Sequence, residues 1–232
     1  RRGGLTIAAA GDISPDRLAP LLPALFGALP EGAPAALPPL PAPERFGVRV
    51  IPFAGPQSQM LFGQAGLPVR DPDWEAAQVM LRVLGGGGFS SRLTEEVRVR
   101  RGLTYGIGAG LSVLMGEALI TGSVATENAR AGETLSVLRA EWARMAESGP
   151  TEAETEDAVA FLGGSLPLQL SDTRSVAGTL VAMQQNGRPM DWLDRRQERL
   201  RALTRDGLAA IARRLLDPEG LSVVVAGQPV GL

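Results

Sequence analysis

The sequence predicts an α+β layer architecture. Its predicted strands are grouped: one near the start, a pair before residue 66, a hairpin between residues 105 and 125, and one near the end. Runs of helices stand between these groups, unlike the strict strand–helix alternation of parallel α/β folds. The composition, 44% hydrophobic and 21% charged, is typical of a globular domain. A chain of this size buries about 70% of its unfolded surface, so its core needs no disulfides.

The first 45 residues are predicted to contain a strand, a broken helix and a linker. Residues 5–10 form a short apolar run followed by a glycine, which predicts a buried strand. Ser14 is suited to cap a helix, and Pro20 and Pro23 are expected to kink or break that helix. Residues 30–43 are rich in proline and alanine and almost uncharged, which predicts an extended linker.

Apolar runs, helical stripes and glycine turns predict the elements of the remaining chain. The predicted strands are residues 47–53, 58–66, 105–113, 118–125 and 221–226. The predicted helices are residues 71–84, 90–101, 128–148, 151–170, 172–186, 192–203 and 206–216. The four glycines at residues 85–88 and Gly102 are expected to end the first two of these helices. Thr151 and Glu154 have the spacing of a capping box.

Two octapeptides near the ends of the chain resemble each other. They are residues 4–11 (GLTIAAAG) and residues 220–227 (GLSVVVAG). One interpretation is that any buried strand has this composition. The other is that each octapeptide closes one copy of a duplicated domain, so that the chain contains the end of a first copy and all of a second copy from about residue 46 onward.

The missing residue types exclude several enzyme mechanisms. The chain contains no cysteine, no histidine and no lysine. A thiol nucleophile, a histidine base, a Schiff-base lysine and a zinc site with histidine or cysteine ligands are therefore excluded in this chain alone. The net charge of −2 gives no reason to expect nucleic acid or an anionic membrane as a partner. No apolar run is long enough to predict a membrane span.

The glycine-rich stretch at residues 85–93 (GGGGFSSRL) is the most conspicuous motif. Backbone N–H groups before a helix can bind phosphate, but the phosphate-binding loop requires a lysine that this chain lacks. We therefore interpret the stretch as the end of one helix and the start of the next, with glycines that let backbones pass closely.

Hydroxyls and carboxylates remain as candidate reactive groups. Ser90 and Ser91 have no histidine or lysine to activate them as nucleophiles. Glu95 and Glu96 point about 100° apart on a helix, which makes them a poor acid–base pair. The acidic run at residues 152–157 suits the start of a helix. All of these carboxylates are interpreted as solvated.

Arg98 and Tyr105 lie seven residues apart on either side of the turn at Gly102. Because glycine turns the chain between them, their side chains can converge on one point. A guanidinium and a phenol are suitable donors to a peptide carbonyl or a developing oxyanion. From the residues alone, the simpler explanation is that the arginines at this helix end complement the helix dipole.

Together these stretches resemble the second domain of the pitrilysin, insulin-degrading enzyme and mitochondrial processing peptidase family. The most specific part runs from residues 85–93 through Arg98 to Tyr105. Further similar stretches extend the resemblance over nearly the whole chain. They are residues 10–15 (AGDISP), 66–68 (GLP), 71–73 (DPD), 149–152 (GPTE) and 216–218 (LDP).

The resemblance implies a two-layer sandwich, in which a mostly antiparallel sheet has helices packed on one face. It also implies three parts. Residues 1–29 are the closing strand and helix after a missing first domain, residues 30–45 are a linker, and residues 46–232 are a second, inactive peptidase domain. In the family, two halves close around a peptide and one half carries zinc on an H-x-x-E-H motif. The opposite half contributes an arginine and a tyrosine seven residues apart.

By this resemblance the chain is the non-catalytic, substrate-binding half of a two-part zinc metalloendopeptidase. Arg98 and Tyr105 correspond to the family's arginine and tyrosine, which stabilise the substrate carbonyl or oxyanion in trans. No cofactor is expected in this chain, and zinc is expected on a homologous H-x-x-E-H subunit, as in heterodimeric bacterial relatives, or on the missing domain. A peptide is the expected substrate. The alternative is a structural or assembly subunit with no role in cleavage.

Overall fold

The computed structural model describes residues 1–36, 38, 41–42, 44–86, 88, 90–114 and 117–232. These residues form two compact units, Arg1–Ala42 with Gly164–Asp194 and Pro43–Gly163 with Arg195–Leu232. Part of the predicted linker and two members of the glycine-rich stretch, Gly87 and Phe89, lie outside the described residues. The predicted division into residues 1–29, 30–45 and 46–232 stays a prediction.

In chain order the elements are α1 (Pro15–Leu18), α2 (Leu21–Phe26), β1 (Val48–Pro52), β2 (Gln57–Ala65), α3 (Trp74–Leu84), a π-helical segment (Thr94–Val99), β3 (Ile107–Leu114), β4 (Glu117–Glu127), α4 (Ala131–Ser148), α5 (Glu152–Gly164), α6 (Leu166–Gln169), α7 (Thr173–Gln185), α8 (Arg196–Arg201), α9 (Arg205–Leu215) and β5 (Ser222–Gly227).

The elements predicted from residue 47 onward are confirmed in type and order. The helix predicted for residues 151–170 is divided into α5 and α6, because Gly163 and Gly164 weaken it. The break expected at Pro20 separates α1 from α2.

The five strands among the described residues form one sheet in the order β1-β5-β2-β4-β3. β1 runs parallel to β5, and the other neighbours are antiparallel. Helices α3, α4 and α9 cover one face, where Met60 and Ile120 are fully buried. Leu61, which points to the opposite face, is 63% exposed. The predicted fold class, α+β with a mostly antiparallel sheet and helices on one face, is confirmed.

The centre of the core joins the sheet to α4. The rings of Phe62 and Trp142 meet edge to face with their centroids 5.9 Å apart, and the indole N–H donates to Gln64 Oε1 at 2.8 Å. Burial of a side chain such as Phe62 stabilises the fold by about 1.5–3 kcal/mol. Gly122 lies opposite Phe62 in the β2–β4 register, and a Cβ atom there would lie 2.2 Å from the ring. The sheet therefore needs glycine at this position to admit the ring.

The strand predicted at residues 5–10 is not found. These residues have no regular secondary structure, and Leu5 is 40% exposed. An apolar run becomes a strand only where a neighbouring strand satisfies its backbone groups. Here the carbonyl oxygen of Ile7 accepts a hydrogen bond from the side-chain amide of Gln184 at 3.1 Å. The similar octapeptide at residues 220–227 contains β5, which is paired on both sides, so the two octapeptides differ in conformation.

Candidate functional site

Arg98 lies on a helix that widens into π-helical geometry. Residues 92–93 are α-helical and Thr94–Val99 are π-helical. The N–H of Arg100 donates to the carbonyl oxygen of Glu95, five residues earlier, at 2.9 Å. The sequence predicted a helix here but not this wider turn, because helix propensity does not distinguish the two geometries. Single π-helical turns are frequent at functional sites.

The turn between Arg98 and Tyr105 depends on Gly102. Its φ of 58° lies in the left-handed region, which glycine adopts readily. Its N–H donates to the carbonyl oxygen of Arg98 at 3.0 Å, and the N–H of Leu103 donates to that of Val97 at 2.9 Å. Leu103 is buried and anchors the turn, from which the chain runs through Tyr105 into β3. The predicted end of the helix at Gly102 is confirmed.

One cavity of about 330 Å³ has both predicted site residues in its wall. The lining residues come from β2, the π-helical segment, the turn, the end of β4 and the residues just before α4: Gln57, Arg98, Gly102, Leu103, Thr104, Tyr105, Glu127 and Arg130. The side chain of Tyr105 is 88% exposed, so its phenol is accessible from solvent. The structure thus brings Arg98 and Tyr105 to one cavity, while their roles toward a substrate stay a prediction.

The cavity wall carries charges of both signs. Arg98 and Arg130 contribute cations, and Glu127 contributes a carboxylate. Arg130 also pairs with Glu133 at 3.1 Å. Gln57 and Glu127 are opposite each other in the β2–β4 register. Sequence reasoning missed these additional lining residues, because only the folded sheet brings the ends of β2 and β4 beside the turn.

The interpretation of Glu95 and Glu96 as solvated is wrong for Glu96. Its side chain is 11% exposed and forms ion pairs with Arg101 and, at 3.0 Å, with Arg100. The hydrogen bond from Arg101 lowers the pKa of Glu96, although burial acts in the opposite direction. Arg100 and Arg101 are therefore held against their own helix, and Arg98 is the arginine of this cluster that lines the cavity.

A buried arginine fixes the other end of this helix. The Arg92 side chain is 8% exposed and donates from Nε and Nη2 to the two carboxylate oxygens of Glu154, at 2.7 and 2.6 Å. Nη2 also donates to the carbonyl oxygen of Gly149 at 3.0 Å. Such a bidentate, charge-assisted pair fixes both distance and orientation. It ties the start of the helix to the first turn of α5, and the bond to Gly149 ties it to the segment before α5.

Glu154 is also part of the predicted capping box, which is confirmed. Its carboxylate accepts the N–H of Thr151 at 2.7 Å, and its own N–H donates to Thr151 Oγ1 at 3.2 Å. Burial disfavours the charged form, but the hydrogen bonds from Arg92 and Thr151 outweigh it and lower the pKa of Glu154 to about 2. The interpretation of this carboxylate as solvated is therefore wrong.

The glycine-rich stretch allows close backbone packing, as predicted, at its described residues. α3 ends at Leu84, and the carbonyl oxygen of Gly85 accepts the N–H of Ala109 at 3.0 Å. A Cβ atom at Gly85 would lie 2.9 Å from that nitrogen. This glycine therefore lets the end of α3 contact β3 directly.

The residues that the structure describes do not fit a zinc site. Among the described residues, no group of three or more histidine, cysteine, aspartate or glutamate side chains could hold a metal ion. The whole sequence lacks histidine and cysteine, the commonest zinc ligands. In the part of the chain that the structure describes, no helix is both long and apolar enough to cross a membrane.

Comparison with known proteins gives consistent matches. The family model of the peptidase M16 inactive domain matches residues 2–162. An uncharacterized zinc protease from Streptomyces coelicolor is 31% identical over 224 residues, covering 91% of this chain and 48% of the relative. A non-peptidase homolog from Helicobacter pylori is 27% identical over 190 residues, covering 81% of this chain and 44% of the relative. The crystal structure of a peptidase M16 inactive domain from Pseudomonas fluorescens matches with a TM-score of 0.84 and 29% identity, covering 95% of this chain and 53% of that one.

These matches confirm the resemblance inferred from the sequence. The chain spans about half the length of the relatives it matches. The segment matched by the family model includes α3, the π-helical segment and the sheet strands β1 to β4. The chain therefore belongs to the peptidase M16 inactive domain family.

Proposed function

We propose that this chain is the non-catalytic, substrate-binding half of a two-part zinc metalloendopeptidase. In this role it supplies Arg98 and Tyr105 to a site whose zinc lies on a partner subunit or on a further domain. The observation that carries the proposal is the single cavity of about 330 Å³ that both side chains line. The zinc-protease names of relatives such as that from Streptomyces coelicolor support it.

Arg98 and Tyr105 suit the stabilisation of a substrate carbonyl or oxyanion. The guanidinium is always charged and presents donors in a fixed plane, and the phenol adds one further donor. Donors that are already in place when charge develops lower the barrier to peptide hydrolysis. The π-helical segment carries Arg98, and the turn at Gly102 leads from it to Tyr105, so that both residues line one cavity. The hydrolytic chemistry itself belongs to the partner subunit or further domain that holds the zinc.

The edge of the sheet offers a second way to hold a peptide. β3 is the last strand in the sheet order, so one side of it has no partner among the described strands. An extended peptide can add to such an edge through backbone hydrogen bonds. β3 begins two residues after Tyr105, so a peptide bound there would reach the cavity.

The proposal is tested by cleavage of a quenched fluorescent peptide library. The samples are the full-length gene product that contains this chain, an H-x-x-E-H homologue, and their mixture. Cleavage is expected to require the mixture, and Arg98→Ala or Tyr105→Phe is expected to lower its kcat/KM by about 100-fold, the typical loss for one oxyanion donor. The matched control is Arg100→Ala, which removes an arginine two residues away that pairs with Glu95 and Glu96 and does not line the cavity.

A mixture no faster than the zinc subunit alone, with unchanged variants, would refute the proposal. That result would support the alternative, a structural or assembly subunit with no role in cleavage. The name of the Helicobacter pylori relative, a non-peptidase homolog, favours this alternative. Cleavage by the full-length gene product alone would instead place the zinc on a further domain of the same protein.

A further inference from the structure

We propose that Arg130 is a positioning residue for Tyr105, because it clamps the turn that carries the phenol. The inference rests on the proposed function, since it concerns the same cavity. Arg130 precedes α4 and lies 25 residues beyond Tyr105 in the chain. Both residues line the cavity of about 330 Å³.

Tyr105 depends on its backbone for its position. The side chain is 88% exposed, so packing does little to fix it. The turn at residues 101–106 contains Gly102 and Gly106, the residue type with the greatest backbone freedom. A Cβ atom at either glycine would meet no other atom within 4 Å, so there is open space where a side chain would project from the turn. A defined place for the phenol therefore requires other contacts on the turn.

Arg130 supplies contacts of this kind. Its Nη2 atom donates to the carbonyl oxygen of Arg101 at 3.3 Å, and its Nη1 atom donates to that of Gly102 at 3.4 Å. Nη2 also donates to Glu133 Oε2 at 3.1 Å, which holds the guanidinium in place from the side of α4. The planar guanidinium can reach two successive carbonyl groups at once, which a single ammonium group cannot do as well.

Two threonines extend the clamp along the turn. Thr126, which is buried, donates from Oγ1 to the carbonyl oxygen of Leu103 at 2.7 Å and accepts from Thr134 Oγ1 at 3.0 Å. Thr104 donates from Oγ1 to the carbonyl oxygen of Ala125 at 2.6 Å. Three successive carbonyl groups, those of residues 101–103, are thus bound by side chains from the end of β4 and from the residue before α4.

The clamp predicts that loss of Arg130 loosens the turn without unfolding the domain. The variant is Arg130→Met, and Thr126→Val provides a second variant at the same turn. The matched control is Arg213→Met, which removes a guanidinium that also donates to a backbone carbonyl, that of Ala209, within α9. Arg130→Lys keeps the charge and one donor group and is expected to restore part of the effect.

The first measurement is ¹⁵N relaxation of the backbone amides of Tyr105 and Gly106 in this chain. The order parameters are expected to fall from about 0.85, typical of rigid backbone, to below about 0.6 in Arg130→Met. They are expected to stay high in Arg213→Met. Unchanged order parameters in Arg130→Met would overturn the proposal, whatever the result for Thr126→Val.

The second measurement is kcat/KM of the peptide-cleaving mixture. Arg130→Met is expected to lower it by about 10- to 100-fold, mainly through kcat, because misplaced groups lose orientation in the transition state. In the Tyr105→Phe background the same change is expected to have little further effect, since interacting residues are not additive. An equal loss in both backgrounds would show that Arg130 acts independently of Tyr105 and would overturn the proposal.

The two measurements separate this inference from the proposed function. If Tyr105→Phe leaves cleavage unchanged, the proposed function fails, and the order parameters alone decide whether Arg130 clamps the turn. If Tyr105→Phe abolishes cleavage but Arg130→Met leaves both cleavage and order unchanged, the proposed function stands and the clamp is refuted.

Discussion

The helix at residues 92–99 has an arginine near each end, and the two arginines differ in their surroundings. At the first end, the Arg92 side chain is 8% exposed and its guanidinium is bound to Glu154 and Gly149. At the second end, Arg98 lines a cavity beside Tyr105, which is 88% exposed. One arginine is part of the folded core, and the other faces a space that a ligand can enter.

The difference shows that surroundings, not residue type, separate a structural arginine from a candidate functional one. A buried guanidinium requires acceptors that are already in place, and Glu154 and Gly149 supply them to Nε and Nη2 of Arg92. A residue that serves a ligand must leave room for that ligand's acceptors. We therefore expect substitutions at the first end to change stability and substitutions at the second end to change activity.

The largest effect on stability is expected for Arg92→Ala. The change leaves the Glu154 carboxylate without its main partner and opens a void behind it, and loss of one partner of a buried pair typically costs about 3 kcal/mol. The measurement is the free energy of unfolding from urea titration. The matched control is Arg45→Ala, which removes an exposed arginine paired with Asp217 and is expected to cost less than about 1 kcal/mol.

Equal losses for Arg92→Ala and Arg45→Ala would break the comparison. In that case Arg92 would be no more structural than an exposed arginine, and burial would be a poor guide to role at this helix. A large loss for Arg92→Ala alone would support the structural role of Arg92. The same urea titration can then be applied to variants at the Arg98 end of the helix.

The second effect concerns pH and the same pair. The folded-state pKa of Glu154 is about 2, below its ordinary value of 4.5. The unfolded chain therefore takes up this proton first as the pH falls, so the stabilisation is complete above the ordinary pKa and is lost toward the folded pKa. The free energy of unfolding of the unchanged protein is expected to fall more steeply over this range than that of Glu154→Gln.

Glu96 serves as an internal control in this experiment. Its pKa is also lowered, and it is present in both proteins, so it contributes equally to both curves. The difference between the curves therefore reports Glu154 alone. Parallel curves for the unchanged protein and Glu154→Gln would contradict the assignment of a strong ion pair to Arg92 and Glu154.

Much of the fold could be predicted from the sequence because its signals are local. The glycines after Leu84 and at Gly102 end helices for conformational reasons, and the capping box of Thr151 and Glu154 is a pattern over four residues. The strand at residues 5–10 was predicted wrongly, because an apolar run contains no information on whether a neighbouring strand exists.

The candidate site could be predicted only in part, for the same reason. Arg98 and Tyr105 lie on one short segment, so spacing and family resemblance found them. Arg130 and Glu127 reach the cavity only through the register of β2, β4 and β3. Thr126 was the one sequence signal of this arrangement. It is a polar residue on the face of β4 that carries the buried Ile120 and Val124, and a polar residue at such a position indicates a buried hydrogen bond.

The smallest effect on stability is expected for Tyr105→Phe. The change removes one hydroxyl from a side chain that is 88% exposed, and exposed substitutions typically change the free energy of unfolding by less than about 0.5 kcal/mol. Urea titration of this variant beside Arg92→Ala gives the comparison directly. If Tyr105→Phe destabilised the fold as strongly as Arg92→Ala, its phenol would be a structural group, and any loss of cleavage would follow from unfolding. If stability is unchanged while cleavage by the mixture is lost, the hydroxyl acts on the substrate, and the two ends of the helix differ in role as well as in burial.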